Sequence, residues 1–297
     1  MLSFKISRRT TFLLHGAALV LSAALACPST VSAKVHSPST PGQYVSDGYR
    51  VTWSAFDLRA VPIKAPDRVI FSAKQVAKSY FARQLEDHSH CQQTREFRLL
   101  SLVGSIMSYA DTTSKNSQDQ HLSSETDYIA INLRKGGMLA KLTDIFLPED
   151  LYKALMGDKV IQKALEKTGA QPADLAQLQD AFASGVSVST ADPQKGEPLC
   201  FTIGEDFLNR FAFHHIDSDK VWVRIGLTGN ADCSSELTEI GITLPLPQSL
   251  QDELASADQG AEGILMKDTD RRARVIHTVF SCDSTADRKR TAHATTK

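Results

Sequence analysis

The 297-residue sequence predicts an α+β fold, with antiparallel sheets and packed helices arranged as two sub-domains. Three observations predict it. Apolar residues alternate with polar ones over residues 49–58 and 221–227, the period of half-buried strands. Helical segments gather between runs of strands instead of alternating with each strand, which argues against βαβ units. A glycine pair and a proline stand at segment ends, where tight turns and helix starts need them.

Taken in order, residues 34–48 (KVHSPSTPGQYVSDG) are rich in Ser, Pro and Gly and read as a flexible leader. Tyr49, Val51, Trp53 and Ala55 then alternate with Arg50, Thr52 and Ser54, a strand running to Leu58. Asp67 is placed to cap a helix reaching about Leu85, with Val69, Ala73, Val76 and Tyr80 on its inward face. Phe97 to Tyr109 is strand-like, Gly104 marking a bulge or bend. Residues 110–126 (ADTTSKNSQDQHLSSET) are too polar to build a core and read as a loop or long hairpin connection.

Tyr128 to Leu133 is a strand, Lys135-Gly136-Gly137 supplies the positive φ of a tight turn, and Met138 to Leu142 returns. Pro148 opens a helix carrying Leu151, Ala154 and Leu155. Further helices are expected over 159–167 and 172–183, strands over 199–203, 207–213, 221–227 and 237–243, and a short helix over 248–254. Residues 264–280 fit either type. The expected division is a leader at 34–48, sub-domains at 49–127 and 128–254, and a C-terminal extension at 255–297. That extension ends in the basic, solvated tail DRKRTAHATTK.

Residues 1–33 read as an export signal. Lys5, Arg8 and Arg9 precede an apolar run from Phe12 to Ala26, and Val31-Ser32-Ala33 offers small residues for cleavage before Lys34. A lipoprotein reading at Cys27 is weaker, because Leu25 sits one place late in the box. A twin-arginine reading is weaker for a similar reason. No other apolar run approaches the roughly 20 residues of a membrane helix, so a soluble periplasmic or secreted protein is expected. Removing the three basic residues of the signal leaves 30 basic against 34 acidic residues, a net charge of −4. That balance argues against a nucleic-acid partner.

Cys91, Cys200, Cys233 and Cys282 remain after cleavage, an even number that suggests two disulfides in an exported chain. Three pairings are open. Cys200–Cys233 with Cys91–Cys282 is favoured, since the first joins neighbouring segments and the second ties the C-terminal part to the N-terminal half.

Catalytic chemistry is hard to place, and no cofactor is implied. His88, His90 and Cys91 lie together, as do His214 and His215, but neither group has metal-ligand spacing. On a regular strand the adjacent pair would face opposite sides, so surface histidines are preferred to a metal site. There is no G-x-S-x-G elbow, and Ser72-Ala73-Lys74 reads as a solvent-facing helical stretch. Glu125 with Asp127, or Glu205 with Asp206, offers carboxylates for glycoside hydrolysis, but acidic pairs in turns are common. Trp53, Trp222, Tyr44 and Tyr49 could stack on sugars; for Trp222, packing in the core or on a sheet face is the simpler reading.

The stretch INLRKGGMLAKLTDIF carries Asn132, Leu133, Gly136, Leu142, Asp144 and Phe146 in a pattern that resembles a known extracytoplasmic domain family. FTIGEDFLNRFAF and ITLPLPQSL resemble its later strands. The family is shared by lysozyme-sensing RsiV-type anti-sigma factors and by the region preceding the catalytic domain of PdaC-type peptidoglycan deacetylases. Residues 49–254 are covered. Ser117 to Gln120 depart from the glycine-rich sequence the family often has before its histidine, here His121. The resemblance implies an exported, non-catalytic binding module of the cell envelope, with lysozyme or peptidoglycan fragments as partners. An envelope glycan hydrolase and a structural envelope protein are the alternatives. Loops on a rigid scaffold commonly carry binding, so His121, Glu125 and Asp127 are the candidate binding residues.

Overall fold

In the computed structural model, Asp47 and Gly48 take φ values of 48° and 75°, the two left-handed positions of a two-residue hairpin turn. They join β1 (Gly42–Ser46) to β2 (Tyr49–Ser54). The segment expected to be a flexible leader therefore ends in a strand. The structure describes residues 42–87, 93–117, 120–191, 198–228, 235–271 and 277–281. The chain divides into residues 1–35 and 36–297, and everything described lies in the second unit. The export signal and the basic tail lie outside the described residues.

The strand expected over 49–58 is two strands. Ser54 accepts from the backbone N–H groups of Phe56 and Asp57 and turns the chain into β3 (Asp57–Pro62), followed by β4 (Phe71–Ser72). The four make one antiparallel sheet in chain order. Helix α1 (Ala73–Asp87) starts five residues later than Asp67 would place it. Ser72 is its cap: the hydroxyl accepts from Gln75 N–H and donates to Asp57, which also accepts from Lys74 N–H. This is the S-x-x-Q spacing of a capping box, so Ser72 is a buried structural residue and not part of a solvent-facing stretch.

The central sheet has the order β15-β5-β6-β7-β8, from β5 (Gln93–Val103), β6 (Ile106–Ser117), β7 (Gln120–Asn132), β8 (Met138–Leu139) and β15 (His277–Ser281). Residues 97–109 are two strands and not one, because Gly104 sits in the turn between Val103 and Ile106. The polar stretch after Tyr109 is mostly strand: β6 and β7 pair from Ile106↔Asn132 out to Ser117↔Gln120. The Gly136-Gly137 turn forms as expected, with φ of 72° and 84°, and Leu139 returns opposite Ile131.

After a 3-10 turn at Leu142–Asp144 come α2 (Pro148–Met156), α3 (Lys159–Thr168) and α4 (Leu175–Phe182). Pro148 starts α2, Asp158 and Asp174 cap α3 and α4, and Gly169 ends α3 in the left-handed conformation. Two smaller sheets follow. One runs β13-β10-β9, from β9 (Val186–Ala191), β10 (Pro198–Ile203) and β13 (Ser235–Glu236). The other runs β11-β12-β14, from β11 (Phe211–Asp217), β12 (Lys220–Gly226) and β14 (Glu239–Pro245). Among the described residues only the short β10–β13 pairing is parallel. Residues 207–209, expected as strand, form a 3-10 turn. Then α5 (Gln251–Asp258) and α6 (Met266–Arg271) lead to β15.

Two large apolar clusters form, and the central sheet contributes to both. Phe97, Leu99, Met107, Tyr109, Ile131 and Leu133 pack with Val51, Trp53, Phe71, Ala77 and Phe81 of the first sheet and α1. Val103, Ile106 and Ala130 pack with α2 to α4 and the two C-terminal sheets. The boundary expected at 127/128 falls inside β7, since successive strand residues point to opposite faces. Each core holds part of the same strands.

Candidate functional site

β8 covers only Ile131 and Asn132, so along residues 120–127 the outer edge of β7 has no neighbouring strand among the described residues. Beside it is a depression of about 250 Å³ lined by Asp127, Tyr128, Ile129, Leu139, Asp206, Asn209 and Arg210. Arg210 follows the 3-10 turn at Phe207–Asn209. Its Nε donates to Asp206 at 2.9 Å, and its Nη1 donates to Asp127 at 2.5 Å and to Thr228 at 2.9 Å. Burial opposes the charge, but the bond to Asp206 and the charge of Asp127 outweigh it, holding the guanidinium above its ordinary range.

Close backbone approach brings these segments together. The Arg210 carbonyl accepts from Gly226 N–H at 2.7 Å. A Cβ on Gly226 would fall 2.7 Å from Tyr128 Cβ, so only glycine lets β12 lie this near β7. Tyr128 donates to Glu239 at 2.5 Å, and Glu239 pairs with Arg224 at 3.5 Å.

Behind Asp127 lies a second charged group. Asp127 and Asp111 are direct cross-strand partners. Asp111 is almost fully buried and accepts from Arg95 through both oxygens, at 2.7 and 2.5 Å. The Arg95 guanidinium lies over the rings of Tyr80 and Phe97, at 4.6 and 5.2 Å. Burial pushes the Asp111 carboxyl above the usual range, the Arg95 bonds and charge pull it down, and Asp127 adds to the rise.

The three candidate binding residues separate. Asp127 is already bonded to Arg210. Glu125 is exposed and carries no ion pair among the described residues. His121 lies in β7 within the irregular pairing between Gln120 and Ser123, and its side chain lies outside the described residues. Of the two carboxylate pairs weighed for hydrolysis, one member of each, Asp127 and Asp206, meets at Arg210. Glycoside hydrolysis needs one carboxyl as a proton donor; here both accept from one guanidinium. Nothing local in the sequence joins Arg210 to Asp127, 83 positions apart, so the arginine was not legible as a site residue.

His88, His90, Cys91, Cys233 and Cys282 lie outside the described residues. Cys200 is fully buried and disulfide-bonded, with the Ser189 hydroxyl 3.4 Å from its sulfur. His214 and His215 do not face opposite sides: a bulge brings their Nδ1 atoms to 2.6 Å. Burial and the charge of Lys267 lower the affinity of His215 for a proton. Of the aromatics weighed for sugar stacking, Trp53 is buried in the first core with Tyr44 against it. Trp222 packs on the sheet face under His215. No described helix is long and apolar enough to cross a membrane. Comparison with protein-family models and with curated proteins finds no match.

Proposed function

We propose that this chain is an exported, non-catalytic binding module of the cell envelope that recognises a basic muramidase of the lysozyme type. The observation that carries the reading is the open edge of β7, with exposed Glu125 on it and the depression around Arg210 beside it. Exposed strand edges are ready templates for a partner's extended segment. The β6–β7 hairpin is backed by β5 on its other side, so a partner's segment would extend a sheet that is already formed. The sequence resemblance to lysozyme-sensing domains supports the choice of target. The mature net charge of −4 supports it as well, because opposite charge steers a basic partner to the surface.

Asp127 already serves Arg210, so Glu125 is the informative residue. Lysozyme binding is measured at low and moderate salt for the wild type and for Glu125→Lys. The expected result is saturable binding that weakens with salt, with slower association for the variant. Absence of saturable binding at either salt removes the lysozyme reading. Binding of muropeptides alone transfers it to a glycan ligand.

A further inference from the structure

The first sheet and helix α1 line a depression of about 350 Å³ that shares no residue with the one around Arg210. Arg59 of β3 faces it together with Lys74 and Lys78 of α1. Strand register brings them together: Arg59 lies opposite Ser72 across β3 and β4, and Ser72 immediately precedes the helix. Lys74 and Lys78 are four residues apart, the spacing of one helical face. Each of the three charges is placed at a cost. Like charges at that spacing repel. A lysine in the first turn opposes the helix dipole, and the first turn of α1 has no acidic residue. The Arg59 Nε is buried and donates to no group among the described residues, a state that needs an explanation in a folded protein. None of the three side chains has an ion pair among the described residues. The one carboxylate on the wall, Asp57, is committed to the helix start, where it accepts from Ser72 Oγ and from Lys74 N–H, each at 2.9 Å. Ser72 in turn accepts from Gln75 N–H. Those backbone donors are taken, so the side chains and not the helix end make the site.

We propose that this depression binds a phosphate group, as the free anion or as a monoester, held by Arg59, Lys74 and Lys78. Three cations against one carboxylate leave the wall with two positive charges in excess. A phosphate monoester carries about −1.5 to −2 at neutral pH and three acceptor oxygens, matching both the excess and the number of donors. A carboxylate, with one charge and two oxygens, leaves one cation unmatched. The planar guanidinium of Arg59 can take two oxygens at once, and the lysines act as point charges on the third. Arg59 is the least exposed of the three, so its bonds are the least screened by solvent. Val69 and Gln75 complete the wall, an apolar side chain beside an amide that both donates and accepts. Those two suit the hydroxylated carbon chain of an ester.

Isothermal titration of the full chain with sodium phosphate, glycerol 1-phosphate and sodium acetate at constant ionic strength reads the site. Both phosphates are expected to bind saturably at one site and acetate not at all; whichever phosphate binds more tightly identifies the free anion or the ester as the preferred form. Arg59→Gln is expected to weaken binding about 10- to 100-fold, the loss of a hydrogen bond between charged groups. Lys74→Gln combined with Lys78→Gln, both at exposed positions, is expected to weaken it several-fold without disturbing the fold. The melting temperature gives a second readout. Without phosphate, Lys78→Gln is expected to melt no lower than wild type, because it relieves a like-charge pair. With phosphate, wild type is expected to gain more than the variant. Absence of saturable phosphate binding overturns the proposal, as do acetate binding as tight as phosphate binding and wild-type affinity in both Arg59→Gln and the double lysine variant.

Discussion

Asp111 and Asp127 face each other across β6 and β7, each matched to a different arginine. Like charges directly opposite destabilise a sheet, so the two arginines make the arrangement tolerable. Asp111→Asn leaves Arg95 buried without a counter-charge and is expected to cost about 3 kcal/mol in chemical unfolding. The pH dependence distinguishes burial from pairing. Asp111 has a folded-state pKa raised above the ordinary value, so its contribution is fully present below the unfolded pKa and declines as pH rises through the folded one. The stability margin of wild type over Asp111→Asn should therefore widen as pH falls toward the ordinary carboxylate range. A margin that narrows instead would mean that Arg95 dominates. At the more exposed end, Arg210→Gln should cost about 1–2 kcal/mol. Asp127→Asn in that background should recover part of the loss, as a double-mutant cycle would read.

The turn between β7 and β8 separates two causes of glycine preference within one pair of residues. Both have positive φ, but a Cβ on Gly136 meets nothing, whereas one on Gly137 falls 3.2 Å from the Ile70 carbonyl. Valine at either position should cost about 1–3 kcal/mol through backbone strain, and Gly137→Val should melt lower than Gly136→Val. Equal melting points would show that the Ile70 segment gives way. Punctuation of this kind was legible because it acts within four or five residues, as was Pro148; the caps Asp158 and Asp174 and the stop at Gly169 act over the same range but were not read. The Asp47-Gly48 hairpin and the Ser72–Gln75 box are equally local and went unread, the first hidden inside a Ser- and Pro-rich stretch. Glycine at 104 was read as a bend because the strands on both sides are buried, so no alternation marks where one ends.

At the scale of the whole molecule, strand pairing bears on the cysteines. Ser281 lies opposite Thr94, one residue from Cys282 and three from Cys91 in sequence. Cys200 lies opposite Glu236, three residues after Cys233. Non-reducing peptide mapping is expected to find Cys91 linked to Cys282 and Cys200 linked to Cys233. Reduction should lower stability by about 2–4 kcal/mol per bond in the chain-entropy picture. Recovery of a Cys91–Cys200 peptide would contradict the pairing. The first link would join β15 to the strand it borders, closing most of the chain into one loop.

By itself the sequence determined the α+β class, the three helices from Pro148 to Phe182 and the glycine turn after β7. Each of these rests on periodicity or on capping within a few positions, and such interactions form whatever the rest of the chain does. Tertiary structure alone decided that one sheet serves two cores, that Asp127 and Asp206 share Arg210, and that a bulge in β11 turns two histidines onto each other. Those outcomes depend on register and on contacts between residues far apart in sequence. A one-residue change of register reverses every side chain on a strand, and no local pattern specifies it.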